Sequence, residues 1–322
     1  MPRGHPSPGH AADREQLRHR QTARVRVLSQ EDVARLLDID LLLERLERAF
    51  VELSAGRASV PARVAAFTEK GLLAAMPGYV DGVLAAKLVA LFPEHVPSHQ
   101  ALIAVFDSKT GTPKAVIDGT HITAVRTGAS SAVATRALAR EDARVLAVLG
   151  AGVQGRSHFD AVTRVREFDE VRVASRSYEH ARALAAGTGA TAVESFEEAV
   201  RGADVACCCT HASEPVLRRE WLAPGTHVCS VGASQEGPEL DRETVTAGLL
   251  CVESRVAFER PPAGAFELQG LDPASAVELG EVLTGTRPGR TSDEQITVYK
   301  SMGHAVEDAA AAALVLERAT AS

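Results

Sequence analysis

The sequence predicts an α/β protein in which a doubly wound parallel sheet follows a smaller α+β unit. Three observations carry that expectation. A glycine-rich turn at 150–155 joins an apolar run to a helical stretch, strands and helices alternate after it, and five short β-like runs split by Gly and Pro precede it. At 322 residues the chain is long enough for two domains, each with its own core.

Residues 1–23 are rich in Pro, Gly, His and Arg and lack an apolar stretch, so they read as a disordered tail rather than a secretory signal. Val25–Leu28 suits a short strand and Ser29–Leu37 a helix. Ile39, Leu42, Leu43, Leu46, Phe50 and Leu53 then recur at helical spacing, with Asp38 or Asp40 as N-cap and Gly56 as stop. Arg63–Phe67, Leu72–Met76, Ala85–Leu91, Ala101–Asp107 and Pro113–Ile117 read as strands of an antiparallel or mixed sheet, with a hairpin turn at 108–111. Thr120–Leu138 is helical and rich in Ala, Ser and Thr. Val145–Leu149, Val171–Ala174, Val205–Thr210, His227–Val231 and Leu250–Val252 supply the parallel sheet, with Thr191–Val193 as a further short strand. Ser292 and Gln295 fit a capping box opening an alanine-rich helix over Ile296–Glu317. That helix would lie beyond the last sheet strand, which leaves it able to return to the N-terminal unit. The domains expected are therefore 24–138 together with 295–322, and 139–294.

Bulk properties exclude several classes. A net charge of −7 disfavours nucleic acid or an anionic membrane as partner, and no apolar run approaches the ~20 residues of a membrane span. The five cysteines, Cys207, Cys208, Cys209, Cys229 and Cys251, form no CxxC pair and lack the spacing of a zinc site. They read as buried reduced thiols of a cytoplasmic protein, with no metal.

The spacing Gly150-x-Gly152-x-x-Gly155 gives the 139–294 unit the signature of a Rossmann domain and implies a dinucleotide. Gly150 permits the tight turn, Gly152 lets backbone approach a pyrophosphate, and Gly155 lets helix and strand pack closely. Val153 and Gln154 open the helix whose N-terminus receives the phosphates. At the end of the next strand an NAD site usually carries an acidic residue, where this chain has Ser175, Arg176 and Ser177. A guanidinium between two hydroxyls suits a 2′-phosphate, which points to NADP(H) ahead of NAD(H); the plain alternative is a solvated turn. Thr210, Val231 and Gly232 end later strands, where cofactors lie in open α/β sheets. Thr127 either bonds a cofactor phosphate or serves its helix as a cap.

Arg63, Lys87 and Arg126 stand among apolar or small residues in the first half of the chain. Lys87 interrupts an apolar strand, so its ammonium either snorkels outward or faces a polar site. His95 and His99, in the segment after Lys87, either line the pocket or donate a proton, or, on the plainer reading, are exposed loop histidines.

In order along the chain come Val60–Arg63, Met76–Tyr79, Ala85–Val89 with Phe92 and Pro93, Phe106–Pro113, Ile117–Thr120, Thr123–Ala129, Gly150–Gly155, Val231–Ala233 and Ile296–Gly303. In this layout the chain resembles the ornithine cyclodeaminase/mu-crystallin family from about Val25 to Glu317. The resemblance implies a homodimer whose N-terminal domain, completed by the C-terminal helix, binds substrate and carries the subunit contacts. It implies hydride transfer between NAD(P) and an amino or imino acid, with Arg63, Lys87 and Arg126 at the carboxylate-binding and catalytic positions and Ser301 and Gly303 approaching the nicotinamide. Cyclodeaminases of the family carry an Asp just after the fourth Rossmann strand, where this chain has Ser234. A neutral hydroxyl cannot act as a carboxylate base. The resemblance is therefore to the imine- and ketimine-reducing branch: NAD(P)H-dependent reduction of a small α-imino acid or cyclic ketimine, such as pyrroline-2-carboxylate or piperideine-2-carboxylate, to an L-amino acid. The alternatives are redox-neutral ornithine cyclodeamination, an alanine dehydrogenase- or iminosuccinate reductase-like activity, and a non-catalytic protein that binds NADP and a small ligand.

Overall fold

The computed structural model describes residues 24–232 and 237–321. The expected tail at 1–23 and Ser234 lie outside them. Two sheets organise the chain. In the first, order β1-β6-β5-β4-β3-β2, the strands are β1 Arg26–Leu28, β2 Val64–Phe67, β3 Leu72–Val80, β4 Val83–Leu91, β5 His99–Asp107 and β6 Pro113–Asp118. It is antiparallel except that β1 pairs parallel to β6. Between β1 and β2 lie α1 Gln30–Leu36 and α2 Ile39–Ser54. Ser29 and Asp32 form a capping box on α1, and the Asp38 side chain accepts from Leu41 N at the start of α2. The apolar stripe of α2 (Leu42, Leu43, Leu46, Ala49 and Phe50) is buried. Each large side chain of it contributes about 1.5–3 kcal/mol.

The helix α3, Gly119–Leu138, runs from this unit into the second, and most of its residues are buried. Its small side chains have a packing reason. A Cβ on Gly128 would come within 2.5 Å of Ser157 O, so α3 and the next helix approach backbone to backbone.

The second sheet is parallel, in the order β13-β12-β14-β11-β10-β7-β8-β9. Its strands are β7 Val145–Leu149, β8 Glu170–Ala174, β9 Thr191–Ala192, β10 Val205–Cys208, β11 His227–Ser230, β12 Leu249–Val252, β13 Val277–Glu278 and β14 Thr297–Lys300. The helices α4 Val153–Val162, α5 Tyr178–Ala186, α6 Phe196–Val200, α7 Arg242–Val245 and α8 Leu279–Leu283 connect them. Chain direction across the sheet reverses between β7 and β10, which is the Rossmann switch point. Cys207 and Cys208 on β10, Cys229 on β11 and Cys251 on β12 are buried because the central parallel strands are covered on both faces.

The C-terminal expectation needs correcting. Residues 292–295 form a turn in which the Gln295 side chain accepts from Thr291 N, and Thr297–Lys300 is a strand inserted between β11 and β12. Thr297, Val298 and Tyr299 favour a strand, and burial on both faces overrides the helix-start signal before them. The final helix, α9, begins only at Ala305, after Gly303 turns the chain with φ +71°. Residues 297–300, grouped by the sequence with 24–138, thus belong to the parallel sheet, whereas α9 packs on α2, β3 and β4 of the first unit. Among the described residues no helix is long and apolar enough to cross a membrane.

Candidate active site

The turn after β7 has the properties a dinucleotide needs. Gly150 has φ +108°, and a Cβ there would meet Cys209 O at 2.6 Å; on Gly155 a Cβ would strike Gly150 O at 1.9 Å. These two glycines therefore shape the turn itself, and the close packing at Gly155 is against the turn more than the strand. A Cβ on Gly152 would meet nothing within 4 Å, and no side chain caps α4 at this residue. The first-turn N–H groups thus face open space, and Gln154 beside them keeps a buried side-chain oxygen without a partner. Free amides at a positive helix end fit a pyrophosphate, and the orphaned acceptor fits a donor such as a hydroxyl of the same ligand. Val153 is exposed at the same turn. At the end of β8, Arg176 is exposed and without a partner among the described residues, and Ser177 caps α5 without a side-chain hydrogen bond. Thr127 donates its hydroxyl to Thr123 O within α3, leaving only lone pairs to offer a ligand.

The three expected cations gather where β14 delivers the chain to α9. Lys87 lies on the inner face of β4, between Met76 and Ile103 in register, and is 2% exposed. Its Nζ is 2.9 Å from Asp308 Oδ1 and 2.8 Å from Oδ2. Arg126, on α3, donates from Nε to Asp308 Oδ1 at 3.1 Å and from a terminal nitrogen to Glu307 Oε2 at 3.0 Å. Ser130 Oγ donates to the same Glu307 oxygen at 2.6 Å. Arg63, just before β2, donates to the carbonyls of Met302 and Gly303 at 2.7 and 2.5 Å. Glu253, after β12, accepts from Ser301 Oγ and from the N–H groups of Met302 and Gly303, so the 301–303 turn is held on both sides. Gly303 is required there: a Cβ would sit 2.6 Å from the Arg126 guanidinium nitrogens.

Burial and charge oppose each other in this cluster. Desolvation is the largest influence on Lys87; with Arg126 and Arg63 it outweighs the Asp308 carboxylate and brings the ammonium down to about 8. Burial also pulls on Arg126, but Glu307 and Asp308 overcome it and raise its pKa further. Glu307 is pushed up to about 7 by burial, against the attraction of Arg126. For Asp308 burial is again the largest influence, yet Lys87 and Arg126 hold its carboxyl below the usual range. The arrangement supplies an ammonium that titrates near neutrality beside a permanently charged guanidinium.

Sequence reasoning located the cations and missed their anions. Glu307 and Asp308 interrupt an otherwise buried apolar stretch of α9, the same signal that drew attention to Lys87. Glu239 and Lys300, buried at the ends of the parallel strands, were also missed. Thr210 directs both its N–H and its hydroxyl to Glu239, and Gly232 turns its N–H to Glu239 and its carbonyl to Lys300. Val231 N bonds Cys208 O, and Ser301 N bonds Ser230 O. His99 opens β5 and His95 precedes it; both are exposed.

The sequence pattern of the ornithine cyclodeaminase/mu-crystallin family matches residues 24–322. Ketimine reductase mu-crystallin of Mus musculus is 41% identical over 305 residues, covering 90% of this chain and 96% of its own. The structure of Thermococcus litoralis Δ1-pyrroline-2-carboxylate reductase with NADH and L-proline is 36% identical with a TM-score of 0.86, covering 92% of this chain and 98% of that one. An archaeal alanine dehydrogenase dimer with bound NAD is 31% identical with a TM-score of 0.83, covering 92% and 96%. The chain belongs to the ornithine cyclodeaminase/mu-crystallin family.

Proposed function

We propose that this protein is an NAD(P)H-dependent reductase of small α-imino acids, including cyclic ketimines such as pyrroline-2-carboxylate and piperideine-2-carboxylate, and yields the L-amino acid. The observation that carries the reading is the convergence of Arg63, Lys87 and Arg126 where the 301–303 turn leaves the parallel sheet, with α3 linking them to the glycine turn. Relatives covering nearly the whole chain are named as reductases of ketimines and of pyrroline-2-carboxylate. Their names supply the substrate class.

The nicotinamide supplies the hydride. The protein binds, orients and protonates the other reactant. Arg63 and Arg126 hold the substrate carboxylate, fixing its Cα for attack. Lys87 has three N–H bonds and donates one of them to Asp308 Oδ1, which leaves a proton for the substrate nitrogen. Its pKa near 8 suits delivery of that proton as the carbon receives hydride, after which the amine recovers a proton from solvent. Overall C=N, hydride and one proton become CH–NH. NADPH is the preferred donor and NADH the secondary one, because the unpaired Arg176 offers a 2′-phosphate a bidentate partner.

A second copy of the chain completes the unit. The outward face of the first sheet is apolar and uncharged across its centre, with Val27 78%, Leu73 49%, Leu88 44% and Leu102 52% exposed. A surface of this kind is characteristic of a subunit contact.

An NADPH-oxidation screen with preformed cyclic imines, and with keto acids plus ammonia or methylamine, tests the function. Turnover with at least one imino acid is expected. Sustained release of ammonia and proline from ornithine and NAD+, without turnover of imines, would replace this reading with cyclodeamination.

A further inference from the structure

Glu239 makes the densest set of hydrogen bonds at the carboxyl ends of the parallel strands. It is 2% exposed. Its Oε1 accepts from Thr210 N and Thr210 Oγ, both at 2.7 Å, and its Oε2 from Ser230 Oγ and Gly232 N, both at 2.7 Å. One carboxylate therefore ties the end of β10 to the end of β11. Lys300, fully buried at the end of β14, adds a third strand. Its Nζ donates to Ser230 Oγ at 3.0 Å and Gly232 O at 2.6 Å, and pairs with Glu267 at 2.9 Å. Gly232 is thus gripped at its N–H by an anion and at its carbonyl by a cation. A Cβ on this residue would sit 2.5 Å from the Glu239 carboxyl carbon.

We propose that Glu239 is a positioning residue of the dinucleotide crevice, acting through Thr210 and Gly232, with Ser230 and Lys300 completing the clamp. The inference rests on the reading of that crevice as the NAD(P)H site. Neither side chain is required to hold the strands in register, because backbone ladders from β7 to β14 already do so. The clamp acts on what projects beyond the ladders. Because the Thr210 hydroxyl hydrogen is spent on Glu239, its oxygen offers the crevice only lone pairs. A cofactor group bound to it must therefore be a donor, such as a carboxamide N–H or a ribose O–H. Gly232 has its N–H spent on Glu239, and its carbonyl, already accepting from Lys300, is held in a fixed direction at the edge of the crevice.

Two variants test this, each as full-length protein: Glu239→Gln and Ser230→Ala. Glutamine offers one acceptor oxygen where two are used, and its amide N–H bonds confront existing donors, so Thr210 or Gly232 must turn away. In Glu239→Gln the dissociation constant of the reduced cofactor that wild type binds more tightly is expected to rise about tenfold. The kcat is expected to fall by about the same factor, while KM for the imine changes little. In Ser230→Ala the same two quantities move in the same direction by roughly threefold, since one of the four bonds to Glu239 and one of the Lys300 bonds are lost. If Glu239→Gln does not fold, Ser230→Ala alone decides. Cofactor affinity and kcat both unchanged in the folded variants, whatever happens to Tm, would show the network to be purely structural and overturn the proposal. Fluorescence titration of the cofactor needs no imine, so the clamp is decided even if wild type reduces none.

Discussion

Asp308→Asn gives the sharpest reading of how the buried cluster works. Asp308 contacts Lys87 Nζ at 2.8–2.9 Å and Arg126 Nε at 3.1 Å, with Lys87 and Asp308 each 2% exposed. At an effective dielectric of about 20, a unit-charge pair at this distance is worth roughly 6 kcal/mol. Loss of one partner from a buried pair typically costs about 3–5 kcal/mol. Asparagine keeps the shape and one acceptor but removes the charge that raises Lys87, while the burial and the Arg126 and Arg63 charges that lower it remain. At ~1.4 kcal/mol per pKa unit, even half of the smaller estimate moves Lys87 down by about one unit from its value near 8. If the Lys87 ammonium donates the proton, activity in the reductive direction falls as pH rises through its pKa. The alkaline limb of kcat, near pH 8 in wild type, should therefore shift towards pH 7 in Asp308→Asn, and kcat at pH 8 should drop about fivefold. The assay is a pH–rate profile of NADPH oxidation with a saturating cyclic imine. A variant that stays folded with an unmoved alkaline limb would refute the assignment of Lys87 as proton donor under Asp308 control.

Other consequences follow from the same geometry. Lys87→Ala should abolish turnover while leaving NADPH affinity within about twofold; a lost affinity in fluorescence titration would put Lys87 in the wrong part of the site. Arg176→Ala should weaken NADPH by about tenfold and NADH hardly at all, since only the 2′-phosphate loses a charge-assisted partner. Equal effects on both would return Arg176 to a solvated turn. The carboxyl of Glu307, raised by burial to about 7 from an unfolded value near 4.5, binds more protons in the folded state over that interval. Its contribution is therefore present at low pH and is lost as pH rises through about 7. In thermal melts, wild type should lose stability relative to Glu307→Gln between pH 4.5 and 7, by up to about 3 kcal/mol. A constant difference across that range would contradict the burial argument.

Much of this fold was legible because local chemistry and tertiary context agree. The α2 stripe, the Asp38 cap, the turn at 108–111 and the alternation after Gly150 each appear within a residue or two of expectation. The failure at 292–304 has a physical cause, whereas the helix expected beyond it forms from Ala305. Ser292 and Gln295 resemble a helix start, but the strand that follows is decided by a vacant central position in the sheet, between β11 and β12. Nothing local reports that vacancy. The cations of the site were visible as charges in apolar company, and Lys87 proves to face a buried carboxylate rather than snorkel. Glu307 and Asp308 carried the same signal but sat in a stretch read as one long alanine helix. Glu239 gave no signal at all, because its partners come from two strands and a loop that only the fold unites.

The most direct measurement follows the transferred hydrogen. Wild-type protein is incubated with pyrroline-2-carboxylate and NADPH deuterated at C4, and the product is resolved by chiral chromatography and mass spectrometry. L-Proline with deuterium at Cα, formed in step with NADPH consumption and absent with Lys87→Ala, is the predicted result. Unconsumed NADPH with this and every other small imino acid tried, or proline without deuterium from NADPH labelled on either face, would contradict the account.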